Sequence, residues 1–214
     1  MKVCYTVNIG RYDQLKNPEV ITEGWKYICI TDNPEVCEGT VYEPVIHRIL
    51  PQENLELVSK RYKWQYWSSF KEISIYHDAN FQIKGNLDEF IEPYQKCKLV
   101  TRPHSHRTNV AQEIQALRNS GKLNIDISKL DKYSNNLGWI PEKLYENGVL
   151  IFNESVEQHH LLLASITVSS ALAPGFSRDQ IILPIVAEKM QLEITTMPRQ
   201  HVSNFFNYNP KHLK

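Results

Sequence analysis

The sequence predicts an α/β fold whose sheet is mixed but mostly parallel and is flanked by helices. Short β-branched and aromatic runs recur at Val3 to Val7, Lys26 to Ile30, Ile73 to His77, Lys98 to Thr101, Val149 to Phe152 and Leu192 to Thr196. Segments with apolar residues at helical spacing separate them. Three of the runs stop at polar loops, Asn8-Ile9-Gly10, Thr31-Asp32-Asn33-Pro34 and Asp78-Ala79-Asn80.

The helical segments follow from periodicity and punctuation. Glu53 to Phe70 carries Leu55, Val58, Tyr62, Tyr66 and Phe70 on one face, with Lys60, Arg61 and Lys63 on the opposite side. Asn109 followed by Gln112 reads as the start of a helix that ends near Gly121. Residues 122–141 read as an irregular connection broken by Asn135, Asn136, Gly138 and Pro141, and Ser155 to Ala171 as an amphipathic helix stopped by Pro174-Gly175. A further helix starts around Ser177-Arg178-Asp179-Gln180.

Composition bounds the function. Lys plus Arg number 24 and Asp plus Glu number 24, so no global field draws the chain to nucleic acid or to an anionic membrane, and an anionic ligand must be held locally. The four cysteines Cys4, Cys29, Cys37 and Cys97 form no C-x-x-C pair and read as reduced thiols, which predicts a cytoplasmic location. Met1 to Gly10 runs straight into a strand pattern and is not a signal peptide, and no run of about 18 apolar residues predicts a membrane span. An anchor would belong to another chain or to a further segment of a larger polypeptide.

The sharpest local signal is Ile73 to His77 running into Asp78-Ala79-Asn80. Two oxygen-bearing side chains at i and i+2 at a strand end suit one hard divalent cation, Mn²⁺ or Mg²⁺, and ligands in open α/β sheets bind beyond the carboxyl ends of the strands. Asp32 stands at a second such end. Taken alone, Asp-Ala-Asn reads as a turn. Arg61, Lys63, Arg102, His104, His106 and Arg107 are donors suited to phosphate oxygens, although a solvated basic face is their commoner fate. Arg178-Asp179-Gln180 offers a cation, a carboxylate and an amide in one turn, where a dipole-stabilising cap is the competing explanation. His159-His160 and Cys97, the last placed at a strand edge, read as structural.

The ordered set Tyr5 to Asp13, Ile30-Thr-Asp32, Arg61-Tyr-Lys63, Tyr76 to Asn80, His104 to Arg107 with Glu113, Leu144 to Val149 and Ser177 to Gln180 resembles a glycosyltransferase-like family. That family was first catalogued as a domain of unknown function (number 616) and is related to the retaining glycosyltransferase family eight. The resemblance spans residues 3–190 and implies a single GT-A domain, Rossmann-like, over 1–214, with the nucleotide part in about 1–100 and the donor-sugar and acceptor part in about 101–214. A compact form of this kind is also similar to glycosyltransferase domains within larger polypeptides of giant algal viruses, and a viral chain would have the host-cell cytoplasm as its expected location.

The resemblance implies a UDP-sugar donor carrying a hexose or deoxyhexose, a glycan or glycoprotein acceptor, and retention of anomeric configuration. Asp78 and Asn80 fall at the family's D-x-D metal motif, and Thr6, Asn8 and Asp32 where the first strands hold uracil and ribose. Arg61 and Lys63 match a basic pair on the nucleotide side, and Asn147-Gly148 an Asn-x-Gly-like turn along the donor sugar. Asp179 and Gln180 match the catalytic acid-amide pair beneath the anomeric carbon. His201 and His212 both qualify as the C-terminal metal ligand. Asn80 departs from the pattern: an amide oxygen still ligates a hard cation, but with one negative charge fewer.

Other readings fare worse. A sugar-nucleotide pyrophosphorylase needs a Gly-rich phosphate loop, and Asn8-Ile9-Gly10-Arg11 is too short for one. No G-x-G-x-x-G opens a helix, which argues against a nicotinamide enzyme. The rival is a non-catalytic nucleotide-sugar or glycan-binding module with a weakened metal site.

Overall fold

The apolar runs at Lys2–Asn8 (β1), Trp25–Thr31 (β2) and Ser74–His77 (β4) form the buried centre of the sheet, each flanked on both sides and shielded on both faces. The computed structural model describes residues 1–70, 72–120, 141–153, 178–189 and 191–209. Four more strands complete the main sheet: Glu43–Ile46 (β3), Leu99–Pro103 (β6), Tyr145–Phe152 (β7) and Ile194–Thr196 (β8). The strand order is β3-β2-β1-β4-β7-β6-β8. Among the described strands only β7 runs against the rest, so the sheet is mixed and mostly parallel in a Rossmann-like α/β fold, as the alternating pattern predicts.

Alternation along the strands sorts the core into two layers. Val3, Tyr5 and Tyr76 face a cluster with Trp64, Trp67 and Phe152, covered by Leu55–Gln65 (α1), Val110–Ser120 (α3) and Asp179–Lys189 (α4). Cys4, Ile75 and Val149 face the other, with Leu87, Phe90 and Phe206, beneath Leu87–Ile91 (α2) and Arg199–Phe205 (α5). A separate two-stranded ribbon, Phe81–Ile83 (β5) with Phe206–Tyr208 (β9), carries the C-terminal segment back beside β4. Asn209 N–H donates to the Asn80 carbonyl at 2.8 Å. The ribbon, β3, α2 and α5 carry too little periodicity to be read from sequence.

The helix expected over Glu53 to Phe70 is shorter. Asn54 caps it by accepting from Leu57 N–H at 3.1 Å, and it tightens into a 3₁₀ turn over Tyr66–Ser69. Its deepest residues are Val58, Lys63, Trp64 and Trp67, so Lys63 is not on a solvated face. The expected cap at Asn109 is present, accepting from Gln112 N–H at 3.0 Å, while Gln112 reaches back to Thr108 N–H at 2.8 Å. All four cysteines are free, and Cys97 lies before β6 rather than in a strand. Among the described residues no helix is long and apolar enough to cross a membrane. Residues 122–140 of the expected irregular connection, and the helix expected at Ser155 to Ala171, lie outside the described residues.

Candidate functional site

The chain leaves β1 for β2 and β3 on one side and returns to β4 on the other, so the carboxyl ends of β1 and β4 diverge. Ligands of open α/β sheets bind in the crevice at such a reversal. A cavity of about 570 Å³ opens there, lined by Val7 to Gly10, Tyr12 and Asp13 after β1, by Leu55, Glu56, Ser59, Lys60 and Lys63 of α1, and by Tyr76, Asp78 to Asn80 and Arg178.

Asp78-Ala79-Asn80 is a turn and a cavity wall at once. Phe81 N–H donates to the Asp78 carbonyl at 2.9 Å, closing the turn into β5. Asp78 N–H donates to the Gly148 carbonyl at 2.8 Å, which brings β7 against it. A Cβ at position 148 would lie 2.9 Å from Phe81 Cε2 and 3.2 Å from Asp78 Oδ2, so only glycine permits this approach. Tyr76 donates its hydroxyl to Asp78 Oδ1 at 2.6 Å. Asn80 is 9% exposed and its Oδ1 is buried without a hydrogen-bond partner. His77 points to the other face: Nε2 lies 3.0 Å from the Tyr42 hydroxyl and Nδ1 3.0 Å from the Asp78 carbonyl. Burial brings its pKa down to about 4 and keeps the ring neutral.

Opposite Asp78, one carboxylate holds two lysines. Asp179 Oδ1 lies 3.0 Å from Lys60 Nζ, and Asp179 Oδ2 lies 2.9 Å from Lys63 Nζ. Lys63 also reaches Asp78 Oδ1 at 3.5 Å, although it is only 3% exposed. Charge therefore alternates from Lys60 through Asp179 and Lys63 to Asp78; the two lysines and Asp78 line the cavity, and Asp179 lies outside the lining. Burial raises the Asp179 pKa, but Lys60 and Lys63 outweigh it and hold the carboxyl well below the usual range. Burial lowers Lys60, and Asp179 and Asp78 more than restore it. Arg61 departs from the reading that pairs it with Lys63: it lies outside the cavity lining, over the Tyr62 ring and 4.0 Å from Glu53. Lys60 and Arg178 join the wall instead. The i,i+3 spacing of Lys60 and Lys63 was the signal for the first, since it stacks both ammonium groups on one side of a helix.

The β1 loop is braced from within. Asn8 donates from Nδ2 to the Asp13 carbonyl at 2.8 Å and accepts from Asp13 N–H at 3.3 Å. Gly10 (φ 78) and Arg11 (φ 54) take left-handed conformations, and Gly10 N–H donates to Asp32 Oδ1 at 2.9 Å. Asp32 thus fastens the loop and does not line the cavity. Thr6 is fully buried outside the lining, with its hydroxyl unpartnered.

Other predicted residues are dispersed. Asn147 and Gly148 lie within β7 and not in a turn; Asn147 is 3% exposed, and both its amide atoms lack a hydrogen-bond partner. Gln180 sits in the first turn of α4, half-buried beside Asp179 and outside the lining, and Pro184 cannot donate to its carbonyl. The structure does not bring His201 to Asp78: its ring stacks on Phe90 and its Nε2 lies 2.9 Å from the Phe90 carbonyl. His212 lies outside the described residues. Among the described residues no group of three or more His, Cys, Asp or Glu is arranged to hold a metal. Arg102 is engaged by Glu146 and Arg107 by Glu113 at 2.5 Å, and neither lines the cavity.

No protein-family model matches the chain, and no curated protein matches it.

Proposed function

We propose that this protein is a GT-A glycosyltransferase that moves a hexose or deoxyhexose from a UDP-sugar to a hydroxyl of a glycan or glycoprotein, assisted by Mn²⁺ or Mg²⁺. The observation that carries the reading is that Asp78 and Asn80 both line the cavity at the carboxyl end of β4, with Asn80 Oδ1 buried and unpartnered and Lys63 within 3.5 Å of Asp78.

The donor set fits a hard cation in kind, with one carboxylate and one amide oxygen. A divalent ion held by Asp78 and Asn80 would offset charge on the departing diphosphate. The chain's own residues supply the rest. Lys63, buried between Asp78 and Asp179, presents a fixed ammonium to phosphate oxygens without reorganising. Asp179, kept ionised by its two lysines and outside the cavity lining, holds Lys60 and Lys63 at the wall, and the resemblance gives it the part of steadying positive charge at the anomeric carbon. Retention of configuration follows from the family resemblance, with the acceptor hydroxyl approaching on the face that the diphosphate leaves.

Two observations favour a second reading. Lys63 within 3.5 Å of Asp78 and an amide at position 80 both weaken cation binding, as suits a non-catalytic nucleotide-sugar or glycan-binding module. Calorimetry with UDP in Mn²⁺ and in chelator, followed by product analysis over a panel of UDP-sugars, separates the two. The enzyme reading expects tighter UDP binding with Mn²⁺, loss of that gain in Asp78→Ala, and transfer from at least one donor. Equal UDP affinity with Mn²⁺ and with chelator would sink it.

A further inference from the structure

Glu113 of α3 is fully buried, an unusual position for a carboxylate unless cations meet it. Three groups do. Arg107 Nε lies 2.5 Å from Oε2, Arg178 Nε and Nη2 each lie 3.4 Å from Oε1, and His104 Nε2 lies 3.9 Å from Oε2. Burial, reinforced by Arg107, lowers the His104 pKa and favours its neutral form. One carboxylate is therefore shared by two guanidinium groups, and positive charge is left over.

The two arginines are held differently. Arg107 is the closer and is 30% exposed; Arg178 is held at long range, is 45% exposed and lines the cavity. A guanidinium carries five donors, and only two of those of Arg178 point at Glu113. Nearby acids temper the charge: Asp179 is already shared by Lys60 and Lys63, while Glu56 and Asp78 line the same cavity.

We infer that Arg178 is a further anion-binding residue of the cavity, contacting phosphate oxygens, and that Glu113 is the positioning residue that holds its guanidinium at the wall. The inference rests on the nucleotide-sugar reading for the identity of the ligand, but the anion contact itself is tested separately. Pairing to a buried carboxylate restricts the side chain before the anion arrives, so less entropy is lost on binding.

Arg61 supplies an internal control, since it is 45% exposed, as Arg178 is, and lies outside the cavity lining. The experiment labels the full chain with phenylglyoxal and follows both arginines by peptide mass spectrometry, with inorganic pyrophosphate, UDP or uridine present. Pyrophosphate and UDP are expected to protect Arg178 and leave Arg61 reactive, with uridine protecting neither. Arg178→Met is expected to weaken pyrophosphate binding by about tenfold and Arg178→Lys by less, since one charge-assisted contact is removed or thinned. In Glu113→Gln, Arg178 should label faster without any ligand while Arg61 is unchanged. Equal labelling of Arg178 with and without pyrophosphate overturns the inference, as does an absence of pyrophosphate binding to the unaltered protein. Protection by pyrophosphate together with no gain in affinity from the uridine moiety supports the anion contact and defeats the nucleotide-sugar reading instead.

Discussion

Lys63 Nζ lies 2.9 Å from Asp179 Oδ2, joining two residues far apart in the chain, of which Lys63 lines the cavity. Because Lys63 is 3% exposed and also meets Asp78, the ammonium is the hub of two acids. Lys63→Met removes the hub and leaves the buried Asp179 with Lys60 alone. The expected loss is about 3 kcal/mol of folding stability, since breaking a buried pair strands a charge. Urea unfolding measures it, and a change within error would show that Lys60 suffices.

Asp179 also sets a pH dependence. Its carboxyl is held well below the usual range in the fold by Lys60 and Lys63, against the opposing effect of burial. The unfolded chain therefore takes up this proton first as pH falls. The stabilisation is complete above about pH 5 and drains as pH drops through about 4 toward the folded value. Other carboxyls contribute to acid unfolding, so the quantity to follow is the difference between the unaltered protein and Asp179→Asn. That difference is expected to shrink steadily on acidification, and a difference independent of pH would break the link to the lysines.

Gly148 has no room for a side chain. In Gly148→Ala the added methyl would lie 2.9 Å from Phe81 Cε2, and Phe81 is 5% exposed and packed on Phe206 and Tyr208. Stability is expected to fall by about 1–3 kcal/mol, the usual cost of overpacking. Asp78, 3.2 Å from the same position, should shift with it, so UDP affinity measured in Mn²⁺ should fall too. An unaltered melting profile would mean that β7 can move away freely.

Asn80→Asp tests the metal site from the side of gain. A carboxylate in place of the amide adds a negative charge beside Asp78, and a hard cation should bind about tenfold more tightly. Titration of Mn²⁺ in the presence of UDP reads this directly. Unchanged affinity would place Asn80 outside the coordination sphere and leave Asp-Ala-Asn as a turn with a single ligand.

The sequence by itself determined the α/β class and the carboxylate at the end of β4, because both are local. Strand and helix periods are written over a few residues, and Ile73 to His77 running into Asp78 delivers its acid wherever the strand goes. The cap at Asn109 was legible for the same reason. Only the tertiary structure decided which charges face the cavity. Lys60, Arg61 and Lys63 are neighbours on one helix, yet burial against Asp179 draws two inward and leaves Arg61 beside Glu53. Asp32 reads as a ligand-facing acid and instead accepts from Gly10 N–H, because the left-handed turn at Gly10 brings a backbone donor to it. Glu113 and Arg178, 65 residues apart, meet only once α3 and α4 pack on the same face of the sheet. Such pairings depend on which elements the hydrophobic core brings together, and a one-dimensional pattern does not encode that.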